Sequence, residues 1–159
     1  MLVGHSASCQ VAAHSAALVP DEVAGLVLVG PTTDPRAVTW PRLVRRWLAT
    51  AVHETPRQVP SLVRQYTRTG PRHMLRVMDR TRNDSIATTL GKVHCPVLIL
   101  RGVHDHIAPA DWCSSLGPSR TLPSGGHMVP LTRGALVANE IRRFSDAVTD
   151  RRNEDSPRV

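Results

Sequence analysis

Residues 1–8, MLVGHSAS, decide the fold of this chain. Leu2 and Val3 predict a short buried strand, and the small and polar residues that follow predict a tight turn at Ser6. A helix rich in small residues is predicted over residues 8–18. A serine on such a strained turn projects its hydroxyl above the edge of a sheet where the strands end.

Two further apolar runs, residues 23–29 (VAGLVLV) and 96–101 (PVLILR), predict strands that are buried on both faces. A short strand is predicted within residues 119–127, where SRTLPSGGH leads into a Gly-Gly loop. Residues 108–117 and 129–148 predict helices. Because strands and helices alternate, the chain is predicted to be an α/β protein with a parallel sheet and helices on both faces.

The C-terminal helix, residues 129–148, is predicted to be amphipathic. Its expected inner face consists of Ala135, Leu136, Ala138, Ile141, Phe144 and Val148. The polar tail, residues 149–159, is expected to be frayed.

Residues 35–90 have a different character and predict a helical insertion. Prolines 41, 60 and 71 each precede a helical pattern, and a last short helix is predicted at SIATTLG, residues 85–91. In the first of these helices the expected apolar stripe is Val44, Trp47, Leu48, Ala51 and Val52. The segment holds 11 of the 19 arginines. We interpret these arginines as a solvated face, because no nucleic-acid-binding motif accompanies them.

Three residues that could carry chemistry each follow a predicted strand. Ser6 lies in the first turn, Asp105 lies in the loop after residues 96–101, and His127 follows two glycines. Taken singly, Asp105 could be a turn or helix-capping residue, and His127 could be an exposed loop residue. Their chain order, Ser then Asp then His, is that of one known catalytic arrangement.

Three motifs together resemble the C-terminal part of the α/β-hydrolase family. They are the turn GHSAS (residues 4–8), the pattern G-x-x-D-x-x-x-P (residues 102–109) and the pattern G-H-x-x-P (residues 126–130). Ser8 replaces the second glycine of the family's usual G-x-S-x-G. The resemblance covers residues 1–148 and implies family strands 5–8 of a partial α/β-hydrolase fold. Residues 1–34 and 91–148 would form the core, residues 35–90 a helical lid, and residues 149–159 a polar tail.

The resemblance also implies roles for individual residues. Ser6 would be the nucleophile, His127 the general base and then acid, and Asp105 the group that orients His127. The backbone N–H of Ala7 would stabilise the oxyanion. The expected substrate contacts are His5, Trp40, Trp47 and Met128.

The implied reaction is hydrolysis of an ester, thioester, lactone or carbon–carbon bond, because family members with other chemistries carry aspartate in place of Ser6. We expect no cofactor and no metal; His104-Asp105-His106 could suggest ligands, but three consecutive residues rarely converge on one ion. The expected partner is a small-molecule substrate, with neither nucleic acid nor membrane.

In this family several strands precede the serine turn, so a chain that begins at this turn is expected to be truncated and weak or inactive alone. Its first strand would leave an apolar edge open to self-association. The alternative reading is a non-catalytic remnant that acts as a binding module.

The three cysteines, Cys9, Cys95 and Cys113, show no disulfide spacing and fit reduced thiols in a cytoplasmic protein. No signal peptide and no membrane span are predicted.

Overall fold

The computed structural model describes residues 1–154 and contains a four-stranded sheet. The strands are β1 (Leu2–His5), β2 (Leu26–Val29), β3 (Val97–Gly102) and β4 (Ser119–Leu122). They lie in the order β1-β2-β3-β4, and every neighbouring pair is parallel. The α/β class predicted from the sequence is therefore confirmed. Because all four strands run the same way, the loops after them meet at one edge of the sheet.

Eight α-helices accompany the sheet. They are α1 (Ser8–Leu18), α2 (Trp40–Ala51), α3 (Val59–Thr69), α4 (Pro71–Arg82), α5 (Ile86–Leu90), α6 (Ala110–Leu116), α7 (Val129–Thr132) and α8 (Gly134–Glu154). Short 3-10 helices occupy Pro20–Glu22, Pro35–Ala37 and Pro56–Gln58. In the part of the chain described here, no helix is long and apolar enough to cross a membrane.

The sheet separates two apolar cores. All four residues of β2 are buried, with Leu26 and Leu28 facing one core and Val27 and Val29 facing the other. The first core is completed by residues of α1, α5 and α6, and the second by residues of α7 and α8. A continuous apolar strand is therefore required at β2, since helices cover both faces of the sheet.

The C-terminal helix differs from its prediction in three ways. It is two helices, because the carbonyl of Arg133 accepts from the N–H groups of Leu136 and Val137 and so starts α8 afresh. Ala135 and Ala138 are exposed, and Val137 is buried instead. The tail prediction is wrong for residues 149–154, which continue α8 with Arg151 and Arg152 in its last turn, where positive charge favours a helix. Residues 155–159 of the predicted tail lie outside the described residues.

The helical insertion occurs where the prolines predicted it. Helices α2, α3 and α4 each carry proline in the first turn, where a missing N–H costs nothing. The predicted stripe on α2 is only partly correct. Trp47 and Ala51 line a cavity together with Leu43. Val44, Leu48 and Val52 do not line it and are 48%, 56% and 78% exposed. We call residues 35–90 the lid and residues 1–34 and 91–148 the core.

Candidate active site

The turn after β1 holds Ser6 in a strained conformation. Its φ is +54°, which is uncommon for a residue with a Cβ, and its N–H donates to the carbonyl of Val29 at 3.0 Å. A Cβ on residue 4 would lie 2.8 Å from both the Cα of Cys9 and the carbonyl oxygen of Ser8. Glycine is therefore needed at residue 4 because helix α1 packs directly against the strand.

Ser8 occupies the position at which the family pattern has glycine, and its hydroxyl closes the turn. The hydroxyl donates to the carbonyl of His5 at 2.8 Å and accepts from the N–H of His5 at 2.8 Å. The replacement of glycine by serine thus adds two hydrogen bonds to the turn that presents Ser6.

Ser6, His127 and Asp105 form one chain of hydrogen bonds, although 121 residues separate the first two. The Nε2 atom of His127 lies 2.8 Å from Ser6 Oγ, and its Nδ1 atom lies 2.9 Å from Asp105 Oδ2. Because an ionised carboxylate only accepts, Nδ1 carries the proton and Nε2 accepts from the serine hydroxyl. The loops after β1, β3 and β4 each supply one member of this chain.

Asp105 is fully buried, and its environment favours the charged form. Burial alone would raise the pKa of its carboxyl group, but the positive charge that His127 can carry and the hydrogen bond to it bring the pKa below its usual value. Asp105 Oδ1 also accepts from the N–H groups of Ile107 (2.9 Å) and Ala108 (3.0 Å). Asp105 is thus suited to remain negative beside His127.

Arg101, which the sequence analysis did not single out, fixes the loop that carries Asp105. It is 7% exposed at the end of β3. Its guanidinium donates to the carbonyl of Ala108 at 2.7 Å and to the carbonyl of Asp105 at 2.8 Å. The feature of the sequence that could have indicated this role is an arginine near the end of an otherwise apolar strand.

Gly30, directly after β2, leaves room for the pair formed by His127 and Asp105. Its φ is +57°, and a Cβ there would lie 3.0 Å from both Asp105 Oδ2 and His127 Nδ1. The loop after β2 therefore supports the site by having no side chain at this point.

A cavity of about 410 Å³ opens above Ser6 and His127. Of the four predicted substrate contacts, Trp47 and Met128 line it. Its lid wall is mostly apolar, and its apolar residues include Val38, Leu43, Trp47, Ala51, Val59, Leu62, Tyr66, Met74, Val77 and Met78. This volume lies within the range of small-molecule sites.

The other two predicted contacts lie elsewhere. His5 is beneath the site, where its Nε2 lies 2.8 Å from the carbonyl oxygen of His127 and the two rings are 5.2 Å apart. Burial, followed by the positive charge that His127 can carry, lowers the pKa of His5. Trp40 packs under the guanidinium of Arg82, 5.1 Å from its ring centre, and does not line the cavity. Both residues contact neighbours of the cavity and are not among its lining residues.

Two polar residues near the end of α2 join the lid to the loops of the site, and sequence reasoning missed both. The hydroxyl of Thr50 accepts from the N–H of His106 at 3.0 Å, and Glu54 Oε1 accepts from the N–H of Met128 at 2.8 Å. One contact is next to Asp105 and the other is next to His127. The lid is therefore hydrogen-bonded to the loops that carry Asp105 and His127.

Thr33, in the loop after β2, is the second strained residue that lines the cavity. Its φ is +72°, which is rare for a β-branched residue. The buried amide of Gln10 lies 3.3 Å from the hydroxyl oxygens of both Thr32 and Thr33. Strain of this kind collects at functional sites.

The other candidate residues have different surroundings. His104 stacks on His53, with ring centres 4.3 Å apart. Within residues 1–154, no three histidine, cysteine or acidic side chains are grouped so as to hold a metal ion. Cys9 is fully buried, and burial raises the pKa of its thiol, which disfavours the reactive thiolate.

Solved structures similar to this chain share its architecture. A thermophilic esterase matches with a TM-score of 0.68 and 21% identity, over 92% of this chain and 65% of the esterase. A hydrolase from Oleispira antarctica matches with a TM-score of 0.70 and 15% identity, over 89% of this chain and 63% of its own. A membrane phospholipase A described as a bacterial virulence factor matches with a TM-score of 0.65 and 19% identity, over 93% and 57% of the two chains.

The chain therefore has the α/β-hydrolase fold, as the motifs predicted. It spans just under two thirds of the length of the thermophilic esterase. No protein-family model and no curated protein matches the sequence.

Proposed function

We propose that this chain carries the catalytic residues of a serine hydrolase that cleaves esters or the related thioesters, lactones or carbon–carbon bonds. The observation that supports the proposal is the hydrogen-bonded chain from Ser6 through His127 to buried Asp105. Ser6 lies on a strained turn at the floor of a mostly apolar cavity, with its hydroxyl within hydrogen-bond reach of a base, as covalent catalysis by serine requires.

In the proposed reaction, His127 Nε2 takes the proton of Ser6 as Oγ bonds to the substrate carbonyl carbon. The leaving group departs with that proton, which leaves an acyl group on Ser6. Water then attacks, gives its proton to His127 and releases the acid, while His127 returns the proton to Ser6 Oγ. Asp105 keeps the proton on Nδ1 and stabilises the imidazolium that forms in each half of the reaction.

The oxyanion of each tetrahedral intermediate would accept from the backbone N–H of Ala7, which lines the cavity beside Ser6. The turn supplies one backbone donor, and the loss of a donor typically slows acyl transfer by about 10²–10³-fold.

The test is the hydrolysis of p-nitrophenyl esters with acyl chains from acetyl to octanoyl. Turnover that disappears in Ser6→Ala supports the proposal. Turnover of equal rate in Ser6→Ala would show that another group or the solvent is responsible, and the proposal would fall.

A second candidate function is binding through the free edge of β1. This strand pairs with β2 on one side, and among residues 1–154 no strand pairs with its other side. Val3 is 50% exposed on this strand, next to unpaired N–H and C=O groups that can bind another strand. The chain should then self-associate as its concentration rises, measured by light scattering, and Val3→Lys should weaken the association.

A further inference from the structure

The charged side chains of the cavity wall differ in whether an oppositely charged side chain is paired with them. Asp34 is paired with two arginines, with its carboxylate 2.8 Å from Arg36 and 2.7 Å from Arg46. Arg82 is paired with Asp79 at 2.5 Å. These two wall residues thus bring charges that are already compensated.

Glu54 lines the same wall, and its charge is not compensated. In the described part of the chain, no arginine, lysine or histidine nitrogen lies within ion-pair distance of its carboxylate. Its two hydrogen-bond partners, the N–H of Met128 and the side-chain amide of Gln58, are neutral. The cavity therefore has an excess negative charge one residue away from His127.

Gln58 adds a side-chain amide oxygen that accepts no hydrogen bond from the described residues. Its side chain lines the cavity and is 7% exposed, and its Nε2 donates to Glu54 Oε2 at 2.9 Å. Because a carboxylate accepts only, this contact fixes which end of the amide is nitrogen. The other end, Oε1, is buried and has no hydrogen-bond partner among the described residues. A buried acceptor left unpaired is costly, and a small rotation of the amide toward the cavity would let a donor on a bound molecule satisfy it.

We propose that Glu54 and Gln58 bind an ammonium group of the substrate, which is then an ester with a primary amine near its scissile carbonyl and an apolar remainder. An ammonium has three N–H donors and a positive charge, which match one free amide oxygen and one uncompensated carboxylate. This inference rests on the proposed hydrolase function for the identity of the scissile group.

The arginines of the lid do not reverse the charge of this subsite. Nine of the eleven arginines in residues 35–90 are exposed on the outer surface. The two that are less exposed, Arg46 and Arg82, are those already paired with Asp34 and Asp79. A cation inside the cavity therefore meets Glu54 as the nearest uncompensated charge of the wall.

The experiment measures binding in Ser6→Ala, so that no reaction interferes. Calorimetry compares hexylammonium with 1-hexanol, which has the same apolar chain and no charge. We expect hexylammonium to bind at least about tenfold more tightly, as a hydrogen bond to a charged group provides. Glu54→Gln should abolish this preference and leave hexanol binding unchanged, since the glutamine can still accept from the N–H of Met128. Glu22→Gln removes an exposed glutamate away from the cavity and is the matched control.

Equal affinities for the two ligands, or a preference that survives Glu54→Gln, would overturn the inference. Gln58→Leu keeps the carboxylate and should weaken hexylammonium binding by about threefold, the effect of one neutral hydrogen bond; unchanged binding would exclude Gln58 from the subsite. Labelling of Ser6 by an alkyl fluorophosphonate in the unsubstituted chain separates the two proposals. If Ser6 is labelled but hexylammonium binds no better than hexanol, the ammonium subsite alone is excluded. If hexylammonium is preferred but Ser6 is not labelled, the hydrolase proposal is excluded and the subsite is supported.

Discussion

The core and the lid are stabilised by different kinds of contact. In the core, every residue of β2 is buried, and apolar side chains fill both sides of the sheet. In the lid, helices α3 and α4 contain no buried residue, and several of their apolar side chains line the cavity. Around α2 the lid meets the core through polar contacts, such as those of Arg46 with Asp34 and Glu54 with Met128, whereas α5 packs Ile86 into the first apolar core.

The same division separates the residues proposed for the chemistry from most of the residues that line the cavity. Ser6, Asp105 and His127 all lie in the core, on loops that follow parallel strands of one sheet. The lid contributes most of the cavity wall, and in the proposed hydrolase it would select which molecule fits above Ser6. Changes in the core should therefore affect the rate of chemistry, and changes in the lid should affect the choice of substrate.

The largest effect is expected from Asp105→Asn in the core. An asparagine can hold His127 in the wrong tautomer, with its proton on the nitrogen that must accept from Ser6, which lowers kcat by about 10⁴-fold in Ser-His-Asp enzymes. The measurement is steady-state ester hydrolysis, with Asp21→Asn at an exposed turn as the control. A loss of less than tenfold would mean that Asp105 does not orient the base.

The next effect concerns the attachment of the lid. Asp34→Ala leaves Arg46 without its buried partner, and removal of one member of a buried ion pair costs about 3 kcal/mol. Urea unfolding measures the loss, and hydrogen exchange should show α2 opening while β2 and β3 stay protected. The pair of half-exposed Arg120 with Glu140 offers a control, since Glu140 keeps a second partner in Arg143 and Arg120→Gln should therefore cost less than about 1 kcal/mol. Uniform deprotection of lid and core would contradict the division between them.

A smaller effect is expected for substrate choice. Met78→Ala shortens the apolar wall, and the lost contact of about two methylene groups, at roughly 0.8 kcal/mol each, should lower kcat/KM for an octanoyl ester by about tenfold relative to an acetyl ester. Leu75 lies on the same helix but outside the cavity, and it is 55% exposed. Leu75→Ala should therefore leave the ratio of kcat/KM for the two esters unchanged. Equal effects of the two variants would show that the cavity does not hold the acyl chain.

The smallest effect is a pH dependence of stability. The pKa of His5 lies below its ordinary value of 6.5, so the unfolded chain binds a proton more readily than the folded one. The stability that neutral His5 provides is fully present when the pH is above the ordinary pKa. It is lost as the pH falls toward the lowered pKa of the folded state. Urea unfolding between about pH 8 and about pH 5 should show this loss, and His5→Gln should reduce it. An unchanged slope in the variant would assign the loss to other groups.

Much of the core could be predicted from the sequence because its signals are local. Strand, turn and helix follow one another within residues 1–18, and Asp105 and His127 each come directly after a strand. Prolines 41, 60 and 71 marked the starts of helices in the lid because their rings fit only the first turn.

The lid contacts could not be predicted because they join residues far apart in the chain. Met128 meets Glu54 across 74 residues, and His106 meets Thr50 across 56. The inner face of α2 was partly misassigned because a helix that lines a cavity exposes apolar side chains on two sides, so hydrophobicity does not distinguish Leu43 from Val44. The buried guanidinium of Arg101 also escaped prediction, since its partners are backbone carbonyls.

The most direct test of the central claim, that Ser6, His127 and Asp105 act as one unit, is the labelling of the folded chain with a fluorophosphonate followed by peptide mapping. The account predicts modification at Ser6 that is absent in Ser6→Ala and strongly slowed in His127→Gln. Modification elsewhere, no modification of a folded sample, or an unchanged rate in His127→Gln would contradict it.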